Sequence, residues 1–327
     1  MKLKDLTILV TGGAGFIGTK LIERLYKDNF IIVYDNLRRN SIKYSGLLEH
    51  KNVELIVADV RDRKKLEDCF KKYPIDVIVH LASIAGVDTV LKDPVLTMEV
   101  SLIGTINILQ LAYKYKDRIK RVVDFSTSEV FGKYAYRVSE GDVTALGAVG
   151  EARWTYAVSK LATEHLAYNY YKMYGLPTVS VRPFNIFGPG QVGEGAIHNF
   201  IVRAIKNEPL IIHNDGDQIR AWCYIDDLID GLILCLEKET AIGNAFNIGN
   251  PRSTITIYNL AKLIIRLCNS SSALKFVKID QADVELRVPD ITKAKRLLGF
   301  SPKIDLEEGL IRTIKWYRER LKDDDKS

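Results

Sequence analysis

Apolar residues follow two alternating rhythms through the first half of the chain. Short β-branched runs at 6–10, 31–35, 53–58, 77–81, 121–126 and 178–182 predict strands. Between them, apolar positions recur at helical spacing over 16–27, 63–72, 95–115 and 155–174. Strands alternating with helices predict an α/β fold, a doubly wound parallel sheet with helices on both faces. Past residue 182 the pattern loosens. A Gly/Pro-rich loop occupies 188–195, helical runs cover 197–207, 227–237 and 256–268, and the 289–298 stretch ends in a helix. The expected organisation is a sheet domain over 1–182, with part of 213–240 returning to it, and a smaller, discontinuous α/β domain over 183–327. The tail at 322–327 reads as a solvated charged end, and no internal repeat is present.

Composition narrows the class. The net charge of +6 comes from 47 basic and 41 acidic residues spread along the chain. A nucleic-acid binder would cluster its cations, so none is expected as a partner, while a mild positive bias suits a phosphate-bearing substrate. Cys69, Cys223, Cys235 and Cys268 form no C-x-x-C pair and have no His at ligand spacing. Neither a disulfide framework nor a metal site is expected, and reduced thiols suit a cytoplasmic protein. The N-terminal apolar run is too short for a signal peptide, and no stretch approaches the ~20 apolar residues of a membrane helix.

The strongest local motif is T-G-G-A-G-F-I-G, Thr11 to Gly18, between a predicted strand and a predicted helix. Glycines at 12, 15 and 18 let the backbone approach a pyrophosphate, and the helix N-terminus offers free N–H groups. Asp35 ends the second strand, where a carboxylate accepts both ribose hydroxyls of an adenosine and repels a 2′-phosphate. That favours NAD over NADP. Arg38 and Arg39 follow closely and argue the other way, since an arginine can receive that phosphate.

Tyr156 and Lys160 lie at i and i+4 in Y-A-V-S-K, on one face of a predicted helix. A tyrosine phenol titrates at ~10. A neighbouring ammonium and an oxidised nicotinamide both favour the phenolate. Tyr156 could then take a hydroxyl proton while hydride leaves the same carbon. Lys160 is expected to hold the ribose and lower the tyrosine pKa. Alone, Y-x-x-x-K is weak; it gains weight from the dinucleotide loop before it and from S-T-S-E after a strand.

These motifs, with Y-D-N, A-D-V, H-L-A-S, F-S-T-S-E-V-F-G, R-P-F-N-I-F-G-P-G and Q-I-R-A-W-C-Y-I-D-D, span nearly the whole chain. Together they resemble the extended short-chain dehydrogenase/reductases, the NAD-dependent epimerase/dehydratase family of nucleotide-sugar enzymes. The resemblance implies a Rossmann-type NAD domain and a nucleotide-sugar domain. It implies cofactor contacts from Gly12, Gly15, Phe16, Ile17, Gly18, Asp35, Asn36, Asp59 facing adenine, Val60, Leu81, Ala82 on the nicotinamide side, Ser83, Ser126, Tyr156 and Lys160. It also implies that Thr127 bonds the sugar O4 beside Tyr156, with Ser128 and Glu129 completing the catalytic set. Asn185, Asn199, Arg220 and Arg287 fall on substrate-contacting motifs. Ser101 stands where many members carry Asn.

In that family the opening step is oxidation of sugar C4 to a transient 4-keto intermediate. Glu129 in S-T-S-E resembles UDP-glucuronate decarboxylases and GDP-mannose 4,6-dehydratases, and R-W-T-Y-A-V-S-K with the Arg287 segment leans to the decarboxylases. I-A-G-V-D at 84–88 and the 188–195 loop lean to UDP-sugar 4-epimerases. Decarboxylation of UDP-glucuronate ranks first, 4-epimerisation second and 4,6-dehydration third. An NADPH-dependent nucleotide-sugar reductase is disfavoured by Asp35, and a non-catalytic NAD-binding regulator by retention of both Tyr156 and Lys160. The helices at 95–115 and 155–174 carry excess apolar surface, and the family pairs the corresponding helices in a homodimer.

Overall fold

The computed structural model describes residues 1–279 and 283–324, so the last three positions of the charged tail lie outside the described residues. The first half runs β1 (Thr7–Thr11), α1 (Phe16–Leu25), β2 (Phe30–Asp35), β3 (Val53–Val57), α2 (Arg63–Lys72), β4 (Val77–His80), α3 (Val87–Lys92), α4 (Pro94–Lys114), β5 (Arg121–Phe125), β6 (Tyr134–Val138), α5 (Thr155–Tyr174) and β7 (Thr178–Pro183). The second half runs β8 (Ile186–Phe187), α6 (Ala196–Ile205), β9 (Leu210–His213), β10 (Ile219–Ala221), β11 (Cys223–Tyr224), α7 (Ile225–Glu237), β12 (Ala245–Ile248), β13 (Thr254–Thr256), α8 (Ile257–Cys268), β14 (Leu274–Val277), β15 (Leu286–Pro289), α9 (Thr292–Leu298) and α10 (Leu306–Asp324).

Seven parallel strands form the central sheet in the order β12-β7-β5-β4-β1-β2-β3. Their near-continuous apolar runs follow from burial on both faces. Successive residues point to opposite faces. Ile8 and Val10 join a core with α1 and α7, whereas Leu9 packs with Leu66, Phe70, Ile108 and Leu111 on the other side. The strand order reverses between β1 and β4, and in such sheets ligands bind outside the strands' carboxyl ends at this switch point. Thr11, Asp35 and His80 all end strands there.

The two halves interleave. β6 leaves the first half to join the second sheet, β13-β10-β15-β6. α7 packs on α1, β5 and β7, while the seventh central strand, β12, comes from beyond the expected 213–240 stretch. The membrane expectation needs correcting: α4 is long and apolar enough to cross a membrane, though it packs against α2 and α5 and is more than half buried. Its apolar surface is divided between the sheet side and a second, exposed side.

His80 is buried at the end of β4 and shares hydrogen bonds with Thr11 Oγ1 (2.6 Å) and Thr105 Oγ1 (3.1 Å). Burial, helped by the Lys160 charge, pushes its pKa down to about 3 from 6.5. The neutral ring therefore contributes stability that is present above pH 6.5 and lost as pH falls toward 3. We expect about 1.4 kcal/mol lost per pH unit in that window. Asp124 pulls the opposite way, because burial raises its pKa to about 6. Urea unfolding of wild type and His80→Gln at neutral and acidic pH separates the two; a difference that does not shrink on acidification excludes the His80 contribution.

Candidate active site

The switch point opens into a cavity of about 670 Å³. Gly12, Gly15, Phe16, Ile17 and Gly18 line one end, from the turn between β1 and α1. Asp35, Asn36, Asp59 and Val60 line it from the ends of β2 and β3, and Leu81, Ala82 and Ser83 from the end of β4. Tyr156 and Lys160 close it from α5.

The loop is shaped for a dinucleotide. Gly12 has φ +70°, and a Cβ there would lie 2.7 Å from Ala82 N. At Gly18 a Cβ would lie 2.6 Å from Gly13 Cα. Only glycine allows the β1–α1 turn to sit this close to its neighbours. Asp35 Oδ2 accepts from Ala14 N (3.1 Å) and Oδ1 from Leu37 N (2.7 Å), which fixes the carboxylate at the cavity edge. Burial raises its pKa even so. Asp59 is paired with Arg61, and Ser83 Oγ bonds Ser101 Oγ (3.0 Å), so the buried Ser101 steadies the half-buried Ser83 in the cavity lining. Ser126 is buried at the end of β5, outside the cavity lining, with no partner for its hydroxyl. The buried Lys160 ammonium is likewise without a partner. An unpaired buried cation in a cleft fits a group that brings its own acceptors. These residues suit NAD, with Asp35 at the adenosine ribose and Lys160 at the other end.

Tyr156 and Lys160 do share one face of α5, but their electrostatics differ from expectation. Burial first, then the charge of Glu129, pushes the Tyr156 phenol up, while a hydrogen bond with Thr127 pulls it down. The Lys160 charge lowers the Asp124 and His80 pKa values, and burial lowers its own. The Thr127 hydrogen bond is the contact that favours the phenolate, and a positive nicotinamide ring would add to it.

Beyond Tyr156 lies a buried ion cluster. Thr127 caps the turn that follows β5, accepting from Glu129 N (3.2 Å), and Ser128 is buried beside it. Glu129 receives a bidentate pair from Arg153, at 2.6 and 3.2 Å. Arg287 Nη1 lies 4.0 Å from Glu129 and its Nη2 donates to Gly132 O (2.7 Å). Parallel pairing of β10 with β15 puts Arg220 directly opposite Arg287. Arg220 bonds the Val284 carbonyl and lies 3.7 Å from Asp283. Burial raises the Glu129 carboxyl, but Arg153, Arg287 and Arg220 outweigh it and hold the pKa below the usual range.

The remaining expected substrate residues do not converge on this cluster. Asn185 has φ +43° and donates to Ala221 O (2.9 Å), which braces the β8–β11 pair. Asn199 is exposed on α6. Arg153 went unassigned in the sequence although it stands three positions before Tyr156. Its signal was the arginine in R-W-T-Y, on the turn leading into α5.

A family model described as GDP-mannose 4,6 dehydratase matches residues 9–313. Over 321 residues the chain is 36% identical to a UDP-N-acetyl-alpha-D-glucosaminuronate decarboxylase of Bacillus cytotoxicus, covering 95% of this chain and 97% of that protein. It is 33% identical over 321 residues to a UDP-glucuronate 4-epimerase of Thermodesulfobacterium geofontis, covering 96% of each. The crystal structure of UDP-glucuronic acid 4-epimerase from Bacillus cereus, in complex with UDP-glucuronic acid and NAD, superposes with a TM-score of 0.86 at 29% identity. It covers 96% of this chain and 100% of that one. With a dinucleotide loop, a Tyr–Lys pair and a doubly wound sheet in one frame, the chain belongs to the NAD-dependent epimerase/dehydratase family of extended short-chain dehydrogenase/reductases, enzymes that act on nucleotide sugars.

Proposed function

We propose that this chain decarboxylates a UDP-linked uronate through a transient 4-keto sugar. One observation carries the reading: three buried or nearly buried guanidiniums, Arg153, Arg220 and Arg287, share Glu129 and Asp283 as counter-charges beside Tyr156. Among the described residues the Nε atoms of Arg153 and Arg287 have no partner. A buried excess of positive charge is costly unless an anion completes it. A uronate carboxylate and a diphosphate both supply that charge, and guanidinium binds either bidentately.

Gly12, Gly15, Asp35 and Lys160 would hold NAD, which would supply the hydride acceptor, and later the hydride donor, at C4. Tyr156 accepts the C4 hydroxyl proton, and Thr127, within hydrogen-bond reach of the phenol, steadies O4. A ketone at C4 makes C6 the carboxyl of a β-keto acid, so the C5–C6 electron pair can move toward O4 as CO2 leaves. The phenol of Tyr156 and the Thr127 hydroxyl are placed to donate to the enolate oxygen. Glu129, held ionised by Arg153, is a poor base for removing a C5 proton, which disfavours 4,6-dehydration. A 4-epimerase is the second reading, supported by the likeness to UDP-glucuronate 4-epimerases.

The test is incubation of the purified chain with NAD and either UDP-glucuronate or its 2-acetamido counterpart. A product lighter by CO2 supports decarboxylation, and unchanged mass with inverted C4 supports the epimerase. No turnover of either compound overturns the uronate class.

The reading includes a homodimer. α4 exposes Val95, Ile103, Ile106 and Tyr113, and the adjacent α5 exposes Val158, Tyr168, Met173 and Tyr174. Two copies of this pair would bury the patch as a four-helix bundle. Light scattering after size exclusion should give twice the chain mass; a monomer rules the dimer out.

A further inference from the structure

Gln191, Val192 and Glu194 of the 188–195 loop line the same cavity as Asp35, and there the carboxylate of Glu194 is filled with donors. Thr89 N (3.2 Å) and the Thr89 hydroxyl donate to Oε1, and Asp88 N donates to Oε2 (3.0 Å). Arg39 Nη2 adds a fourth contact to Oε1 at 3.3 Å. An ionised carboxylate has about four acceptor sites. Glu194 is therefore anchored by the 88–89 segment and presents a fixed acceptor to Arg39. Two glycines hem in the pair. A Cβ at Gly86 (φ +106°) would lie 2.5 Å from Glu194 Oε2 and 2.9 Å from Arg39 Nη2. At Gly193 (φ +94°) it would lie 3.2 Å from Arg39 Nε.

Arg39 lies in the loop after Asp35, and Arg39, Glu194 and Asp35 line the same cavity. A free guanidinium at this end would attract a ribose 2′-phosphate, whereas one paired with Glu194 is neutralised and tied to a different loop. We propose that Glu194 determines cofactor choice by holding Arg39 away from the adenosine ribose. Asp35 repels the phosphate, and Glu194 withdraws the cation that would attract it. Glu194 is thus a positioning residue that acts through Arg39. The inference rests on the assignment of this cavity to NAD and does not depend on which sugar reaction follows.

The test is calorimetric titration of NAD and NADP into the full chain. The proteins are wild type, Glu194→Gln, and Glu194→Gln combined with Arg39→Ala or with Arg38→Ala. Freeing Arg39 should tighten NADP relative to NAD by about tenfold or more, the scale of one charge-assisted contact. The gain should vanish with Arg39→Ala and survive Arg38→Ala. If Glu194→Gln does not fold, Glu194→Asp, one methylene shorter, should give the same change in ratio. A merely structural Glu194 would weaken both dinucleotides alike; an unchanged ratio overturns the proposal, as does a gain that persists without Arg39. A wild type that binds neither dinucleotide removes the proposal together with the cavity assignment, while binding of NAD without sugar turnover leaves it standing.

Discussion

Tyr156→Phe is expected to lower turnover of the UDP-uronate by about 10²- to 10⁴-fold, the usual contribution of a positioned general base, with NAD affinity almost unchanged. The ring stays packed, so only the hydroxyl and its bond to Thr127 are lost. No neighbour can replace it. Lys160 is a cation without a lone pair to offer, and both Glu129 oxygens face Arg153. Because burial and the Glu129 charge push the phenol up, the phenolate fraction grows with pH. Wild-type kcat should therefore climb as pH rises toward the alkaline range, while the residual rate of the variant stays flat. Stopped-flow absorbance of reduced nicotinamide, read beside direct NAD titration, checks both parts. A variant that keeps more than roughly a tenth of the wild-type rate would remove Tyr156 from the role of base.

The cofactor half of the site was legible in the sequence because its determinants are local. A glycine loop, a strand-ending carboxylate and an i, i+4 Tyr–Lys pair each sit within one element or one turn, and parallel strands bring their carboxyl ends together. The substrate half was legible only as separate motif positions, Glu129, Arg220 and Arg287, because their meeting depends on long-range pairing. Arg220 meets Arg287 only through the β10–β15 register, and Arg287 reaches Glu129 only because β6 crosses from the first half to pair with β15. Arg153 belongs to R-W-T-Y-A-V-S-K, but its pairing with Glu129 appears only in the fold. Asn199 lies exposed on α6, away from the ion cluster, and a matching motif position says nothing about which face of the helix it occupies. β12 was hidden by its brevity, and α10 because its apolar positions, such as Leu310 and Ile314, are diluted by exposed charge.

That dependence on distant pairing makes Glu129 the most exposed point of the substrate half. In Glu129→Gln the side-chain volume is kept and the charge removed, which leaves Arg153, Arg220 and Arg287 with Asp283 as the remaining nearby carboxylate among the described residues. Breaking one partner out of a buried ion pair costs roughly 3–5 kcal/mol, and we expect a loss near the lower end, since Glu129 keeps some solvent contact. The pH dependence has a definite sign. The folded-state pKa of Glu129 lies below its ordinary value of 4.5, so its contribution is present above that pH and lost as pH falls through the depressed value. The stability gap between wild type and variant should stay constant near neutrality and close below about pH 4.5. A gap under about 1 kcal/mol at neutral pH, within the range of exposed pairs, would mean that the guanidiniums are satisfied elsewhere. The excess positive charge on which the uronate assignment depends would then not exist. The same variant should bind UDP-glucuronate without losing affinity, since the anion meets less competition for the guanidiniums, yet turn it over more slowly because Arg153 loses the bidentate carboxylate that fixes it; the Thr127 turn, bonded to the backbone N–H of residue 129, is kept. Separate Kd and kcat measurements distinguish this from collapse of the site, in which both would deteriorate together.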